Sequence, residues 1–149
     1  MTQPLKPGGL TGRCYCGAVA LSFPAPPEKV SYCHCADCRR ITGAPVAAFA
    51  AFNSDQVTIS PDPGPGVQTT AGVKRWFCST CGSPLAATFD YLPGQTYVPV
   101  GILDFAADLM PQMHSHAASA LPWLCIADEL PRHDSSARAA LKTAEHPET

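Results

Sequence analysis

Arg75-Trp76-Phe77-Cys78-Ser79-Thr80-Cys81-Gly82 decides how this chain folds. An aromatic run of strand character enters a Cys-x-x-Cys-Gly turn, where backbone N–H groups must fold around two sulfurs. Glycine suits the end of such a knuckle because it tolerates backbone conformations that side chains disfavour. Two sulfurs on one turn are half of a tetrahedral metal site, so the other half comes from elsewhere. Two further clusters offer it: Cys14-Tyr15-Cys16-Gly17 and Cys33-His34-Cys35-Ala36-Asp37-Cys38. The three clusters take seven of the eight cysteines and leave Cys125 apart.

Metal ligation accounts for these spacings better than disulfides do. A disulfide inside Cys14-x-Cys16 would be strained, whereas thiolates this close meet readily at a tetrahedral zinc about 2.3 Å from each sulfur. The opening Met-Thr-Gln-Pro-Leu-Lys-Pro-Gly-Gly lacks the apolar core of a secretory signal. No run reaches the roughly 18 apolar residues of a membrane span. The expected setting is therefore the reducing cytoplasm, where cysteines serve metals rather than disulfides.

A closed structural site takes four ligands, so Cys14 and Cys16 can combine with Cys78 and Cys81. Cys33, Cys35 and Cys38 then form a three-ligand set with one open position, the mark of a catalytic or substrate-binding zinc. Spacing alone leaves other groupings open, with His34, Cys125 or another histidine completing the 33–38 cluster. The two-plus-two site joins positions about sixty residues apart. Closing that loop costs about 3–4 kcal/mol, and a structural zinc contributes roughly 10 kcal/mol or more in peptides. The metal wins, and it staples two strand regions of a small β fold.

The rest of the chain agrees. With 149 residues and 46% hydrophobic content, it has the size and the apolar material of one domain. Sixteen prolines and eleven glycines favour short strands and loops over long helices. We expect a flexible arm over 1–9, a zinc-binding β domain over 10–133 and a polar C-terminal tail over 134–149. Strands are expected within 14–23, entered through a tight Cys-x-Cys-Gly turn, and within 30–32, 46–52, 56–60 and 96–103; Pro84 to Asp90 follows the Cys78-x-x-Cys81 knuckle. Residues 39–45 read as a loop or one helical turn, 61–66 as a surface loop, and Pro122-Trp123 as packed back on the core. A net charge of −2 with only 15% charged residues gives no footprint for nucleic acid or an anionic membrane.

Three stretches carry a specific resemblance: Gly12-Arg-Cys-Tyr-Cys-Gly-Ala-Val19, Cys33-His-Cys-Ala-Asp-Cys-Arg-Arg-Ile-Thr-Gly43 and Arg75-Trp-Phe-Cys-Ser-Thr-Cys-Gly82. They resemble the glutathione-dependent formaldehyde-activating enzyme family, which also includes centromere protein V. Val100-Gly-Ile-Leu-Asp104 and the stretch from Pro122-Trp123 to Asp128-Glu-Leu-Pro131 extend the likeness to about residues 10–133. The resemblance implies a mainly β fold, the β-tent of small antiparallel sheets stapled by zinc, with few short helices. It also implies a structural zinc on Cys14, Cys16, Cys78 and Cys81, and a catalytic zinc on Cys33, Cys35 and Cys38.

A three-thiolate zinc suits an exogenous thiol as fourth ligand, because coordination presents it as thiolate near neutral pH. Four thiolates make an electron-rich centre that holds hydroxide poorly, so thiol chemistry is favoured over hydrolysis. With glutathione and formaldehyde, the expected reaction is formation and cleavage of S-hydroxymethylglutathione, a carbon–sulfur lyase activity. Arg39 and Arg40, directly after Cys38, are the first candidates to hold glutathione's carboxylates; Lys74 and Arg75 come second. Ordinary loop hydrogen bonds or surface ion pairs are the plain alternative for each.

His34 lies between two ligands on extended backbone that points it away from the metal. His114 and His116 are candidates for a pocket wall. Cys125, among apolar neighbours, reads as a buried small hydrophobe, and Trp76 and Trp123 as core. Two rivals to the enzyme stand: a non-catalytic zinc-organised binding module, and a thiol redox protein cycling its 33–38 cluster. A homodimer through an exposed sheet edge would be unsurprising.

Overall fold

The computed structural model describes residues 9–142. Strands β1 (Leu10–Arg13) and β2 (Ala20–Phe23) flank the first cysteine knuckle, and β3 (Lys29–Cys33) runs into the second cluster. Helix α1 (Ala36–Thr42) follows, then β4 (Ala47–Asn53) and β5 (Thr58–Ser60). Next come β6 (Val67–Thr70), β7 (Val73–Phe77), β8 (Pro84–Phe89), β9 (Gln95–Pro99), β10 (His114–Ser115) and α2 (Arg138–Leu141). A three-stranded sheet has the order β1-β2-β5, and a seven-stranded sheet the order β10-β3-β4-β9-β8-β7-β6. The expected mainly β fold with few short helices is thus present. Strands pair antiparallel except β10, which lies parallel to β3.

Strand β4 explains the layering. Its Ala-Ala-Phe-Ala-Ala-Phe-Asn run is apolar until the last residue, as a strand covered on both faces requires. Successive side chains point to opposite faces, and here each set meets its own core. Ala50 and Phe52 join Leu21, Phe23, Leu85 and Val98 in a core between the two sheets. Phe23 stacks on Phe52 at 4.1 Å between ring centroids, with Phe105 edge-on to Phe23. Ala47, Phe49 and Ala51 meet Tyr97, Leu92, Met113 and Leu141 in a second core. The first core carries Cys14, Cys78 and Cys81. The second carries Cys33, Cys35 and Cys38. The two thiol clusters therefore sit on opposite faces of the large sheet.

Several expectations are corrected. The expected turn at Cys14–Gly17 is present, but the knuckle runs on to Val19, so the strand within 14–23 is confined to Ala20–Phe23. The helix after the second cluster starts earlier than expected and makes nearly two turns. Cys35 caps it, its Sγ accepting the Cys38 N–H at 3.3 Å, and Gly43 ends it at φ 73°. The strand expected to Leu103 stops at Pro99, where a 3-10 turn over Val100–Ile102 begins. Strands β1, β6, β8 and β10 go beyond the expected set: β6 is exposed along its whole length, and β10 has two residues.

Trp123 does not pack on the core; it is 68% exposed, and Cys125 is exposed near it. Leu121, Leu124 and Ile126 are half-buried instead. Arg132 gathers this irregular strap, donating to the carbonyls of Ile126 and Leu130 and to the Asp128 carboxylate. From the segment read as a tail, Ala137 and Leu141 are buried in the second core, and Gln95 Nε2 donates to the Leu141 carbonyl at 2.9 Å. The arm expected over 1–9 lies, apart from Gly9, outside the described residues, as do 143–149.

Candidate metal centres and the thiol cavity

The first centre joins two knuckles of one design. After Cys14, the Gly17 N–H returns to the Cys14 carbonyl at 3.1 Å; after Cys78, the Gly82 N–H returns to the Cys78 carbonyl at 2.8 Å. Gly17 (φ 82°) and Gly82 (φ 80°) both take the left-handed conformation that closes so tight a loop. Backbone N–H groups of Val19 and Ala18 point at the sulfurs of Cys14 and Cys16, at 3.3 and 3.4 Å. The Tyr15 N–H donates to the Ser83 hydroxyl at 2.9 Å, tying one knuckle to the other. The sulfurs of Cys14, Cys16, Cys78 and Cys81 all lie within 4.8 Å of one another.

This donor set fits a metal. Cys14 and Cys16 sulfurs are 3.6 Å apart, and Cys16 and Cys78 sulfurs 3.8 Å, and all four cysteines are free thiols. A tetrahedron with zinc–sulfur bonds of about 2.3 Å has edges of about 3.8 Å. A hydrogen bond from the Ser83 hydroxyl holds the Cys81 thiol down to about 5, already toward the thiolate that ligation needs.

The second centre takes its sulfurs from the end of β3, the cap of α1 and the first turn of α1. Cys33, Cys35 and Cys38 sulfurs also lie within 4.8 Å of one another, Cys33 and Cys35 at 3.5 Å. Hydrogen bonds from the Cys33 and Cys38 thiols hold Cys35 down to about 2, while the same crowding pushes Cys33 far up. One negative charge shared among three sulfurs is the pattern a cation would take over. Among the described residues no fourth side chain joins this group, neither His34 nor Cys125. Both clusters can hold a metal ion, one with four donors and one with three.

All three sulfurs of the second cluster line a cavity of about 190 Å³, with Arg75, Tyr91, Tyr97 and His116 among its other walls. His116, one of the two candidate wall histidines, thus shares the cavity with the thiols. It has a left-handed backbone, φ 55°, rare for a residue with a side chain though histidine is among those that tolerate it.

His114 lies elsewhere. It is 1% exposed and bridges His34 to the strap: His34 Nε2 is 2.8 Å from His114 Nδ1, and His114 Nε2 is 2.9 Å from Asp128 Oδ2. His114 Nε2 donates to the ionised Asp128, and His34 Nδ1 is buried without a hydrogen-bond partner among the described residues. Burial first, and the His114 and Arg132 charges next, lower the His34 pKa and keep it neutral. His34 is therefore a buried strut beside the thiols, in keeping with the reading that it is not a ligand.

This tie has a testable pH signature. The His114 hydrogen bond, aided by the Leu130 N–H and Arg132, lowers Asp128 to about 2 from 3.8. A lowered carboxylate pKa adds stability that is complete above 3.8 and is lost as pH falls toward 2. The stability gap between wild type and Asp128→Asn, measured by chemical denaturation, should stay constant from about pH 8 down to about pH 5 and narrow below it. A gap that changes around pH 6 would show that histidine protonation, not the carboxylate, governs the tie.

The arginines are arranged differently from their order in the chain. Arg39 is half-buried and Arg40 exposed, and neither lines the thiol cavity; both border a shallow depression with Gly43, Pro45 and Leu121. Each helical residue turns about 100° from the last, so positions directly after Cys38 rotate away from its sulfur. Arg75 enters the cavity wall instead, 5% exposed, while Lys74 next to it on β7 is exposed. The period-2 pattern held this signal, since Arg75 shares a strand face with Val73.

The family model of the glutathione-dependent formaldehyde-activating enzyme matches residues 9–119. A crystal structure of a Rhodobacter sphaeroides protein, a structural genomics target, is 27% identical, with a TM-score of 0.53. That similarity covers 63% of this chain and 87% of the other. No curated protein matches. The matched span takes in both thiol clusters and the walls of the cavity up to His116, while Asp128 and Arg132 lie beyond it. With all seven clustered sulfurs inside that match, the chain belongs to the glutathione-dependent formaldehyde-activating enzyme family.

Proposed function

We propose that this protein is a zinc-dependent carbon–sulfur lyase that forms and cleaves a thiol–aldehyde adduct, S-hydroxymethylglutathione from glutathione and formaldehyde. The observation that carries it is the three-cysteine set that lines a cavity and, among the described residues, has no fourth protein donor. Zinc bound there would supply a positive centre that presents an incoming thiol as its thiolate. Cys33, Cys35 and Cys38 would hold that ion, and Cys14, Cys16, Cys78 and Cys81 a second, structural one. A reducing cytoplasm is where seven such thiolates persist.

In the forward direction the thiol sulfur bonds to the formaldehyde carbon, the carbonyl π bond opens, and the thiol proton ends on the new hydroxyl. The reverse breaks the same carbon–sulfur bond. Phe49, Phe89 and Tyr97 give the cavity apolar walls that limit water around the reacting sulfur. At about 190 Å³ the cavity lies below the usual 300–1,000 Å³ of drug-sized ligand sites. It therefore takes the thiol end and the one-carbon aldehyde, and leaves the rest of the tripeptide outside.

Elemental analysis before and after dialysis against glutathione tests this reading. We expect roughly two zinc ions per chain at the outset, with the ion at the three-cysteine set alone becoming labile to the thiol. Two ions held unchanged whatever thiol is present would sink the proposal in favour of a non-catalytic zinc module.

A further inference from the structure

Arg75 stands out among the cations. It is 5% exposed, whereas every other arginine among the described residues is half-buried or exposed. The two side-chain ion pairs of the described residues are both at Asp128, so Arg75 has no carboxylate among them within ion-pair distance. On the cavity wall it shares space with the three cysteines, and Cys38 feels its positive charge. Asp37, the one carboxylate lining the same space, is exposed. Against the guanidinium lies the Phe89 ring, 5.6 Å from Arg75 Cζ to the ring centroid, which supports the cation and takes up none of its N–H donors. A buried cation without a paired anion is costly to keep, and this one borders a space shared with three sulfurs.

The same side chain borders a second, smaller depression of about 140 Å³, formed with Arg40, Asp37, Thr69 and Thr70. Arg75 thus lies between the thiol cavity and this depression, whose other walls carry threonine hydroxyls and a second cation. A thiol bound at the three cysteines would therefore have this guanidinium within the same cavity.

We propose that Arg75 is the carboxylate-recognition residue of the thiol cavity, so that its ligands are small thiols bearing an acid group. The inference rests on the reading of the three-cysteine set as a thiol site and adds which thiols it selects. A guanidinium fork matches a carboxylate in two parallel hydrogen bonds, and such a pair is strong where water is excluded. The rival role for Arg75 is to offset the negative charge of the thiolates, which would favour every thiol alike.

Two probes separate these roles because they differ by one group: 3-mercaptopropionate carries a carboxylate where 2-mercaptoethanol carries a hydroxyl. Binding of each to the full chain, with its metal as purified, is measured by calorimetry for wild type, Arg75→Lys and Arg75→Met. Wild type should prefer the acid by about tenfold to a hundredfold, the range of a buried charge-assisted hydrogen bond. Arg75→Met should lose that preference, and Arg75→Lys should keep part of it, since lysine retains the charge without the fork. If Arg75→Met fails to fold, a preference at least severalfold smaller in Arg75→Lys supports the inference in its place, and an unchanged one overturns it.

Equal binding of both probes by wild type overturns the inference and leaves the thiol site standing. An acid preference that survives both substitutions assigns recognition to another cation and overturns it as well. A uniform loss for both thiols in Arg75→Met shows charge compensation and does the same. Binding of neither probe by wild type removes the thiol reading itself, and the inference with it.

Discussion

Cys78→Ser is expected to leave the chain unfolded, or folded with a melting temperature lower by tens of degrees. Cys78 is 3% exposed, packs in the core between the two sheets and opens the knuckle that Gly82 closes. Its sulfur is 3.8 Å from that of Cys16, 62 residues earlier, so it joins two distant parts of the fold. Structural zinc contributes roughly 10 kcal/mol or more in peptide models, and a whole domain is stable by only about 5–15 kcal/mol. Loss of one ligand from the four-thiolate set therefore removes a share comparable to the total. The serine hydroxyl adds a buried polar group without a partner, at about 1–3 kcal/mol. Thermal unfolding followed by circular dichroism, with metal content on the soluble fraction, checks this. A variant that melts within a few degrees of wild type would show that the four-cysteine centre does not hold the sheets together.

The same substitution at Cys35 should do the opposite. Cys35 is half-buried and caps α1, its sulfur accepting the Cys38 N–H. Serine is among the best residues for such a cap, so Cys35→Ser preserves the helix start and removes one soft ligand. The expected result is a folded protein with its melting temperature within a few degrees of wild type and one fewer zinc ion per chain. Formation of S-hydroxymethylglutathione should fall by at least about a hundredfold, the scale on which a lost catalytic group is felt. Full activity with one zinc ion missing would dismiss the three-cysteine set as the reacting centre. Collapse of the fold would make that set structural instead. One chemical change at two sites thus tests the four-cysteine centre for a role in the fold and the three-cysteine centre for a role in the chemistry.

The thiol clusters are legible in the chain because their geometry is local. Cys-x-Cys and Cys-x-x-Cys spacings bring sulfurs together within one turn, and glycines such as Gly17 and Gly82 announce the backbone that permits it. The doubly buried β4 is legible for a similar reason, since an unbroken apolar run is its own signal. Strand β6, polar and exposed along its length, carries no such signal. Trp123 and Cys125 look like core by residue type, yet the strap that bears them is held by polar contacts from Arg132. Residue type reports what a side chain would gain by burial and says nothing of whether a partner surface is there to receive it.

The cavity is the least legible part. Arg39 and Arg40 follow Cys38 directly, and proximity along the chain puts those arginines first. The structure instead supplies Arg75 from β7 and His116 from the turn after β10. Likewise His34 finds its partner 80 residues away in His114, and through it Asp128. The sequence by itself determined the seven ligand-type sulfurs, their short-range knuckles and the mainly β character, because each follows from spacing, glycine placement or hydrophobic period. Only the tertiary structure decided which sulfurs meet across the chain, which arginine borders the thiols and which histidine lines their cavity. Those choices depend on strand order and on the face each residue presents, and sequence separation encodes neither.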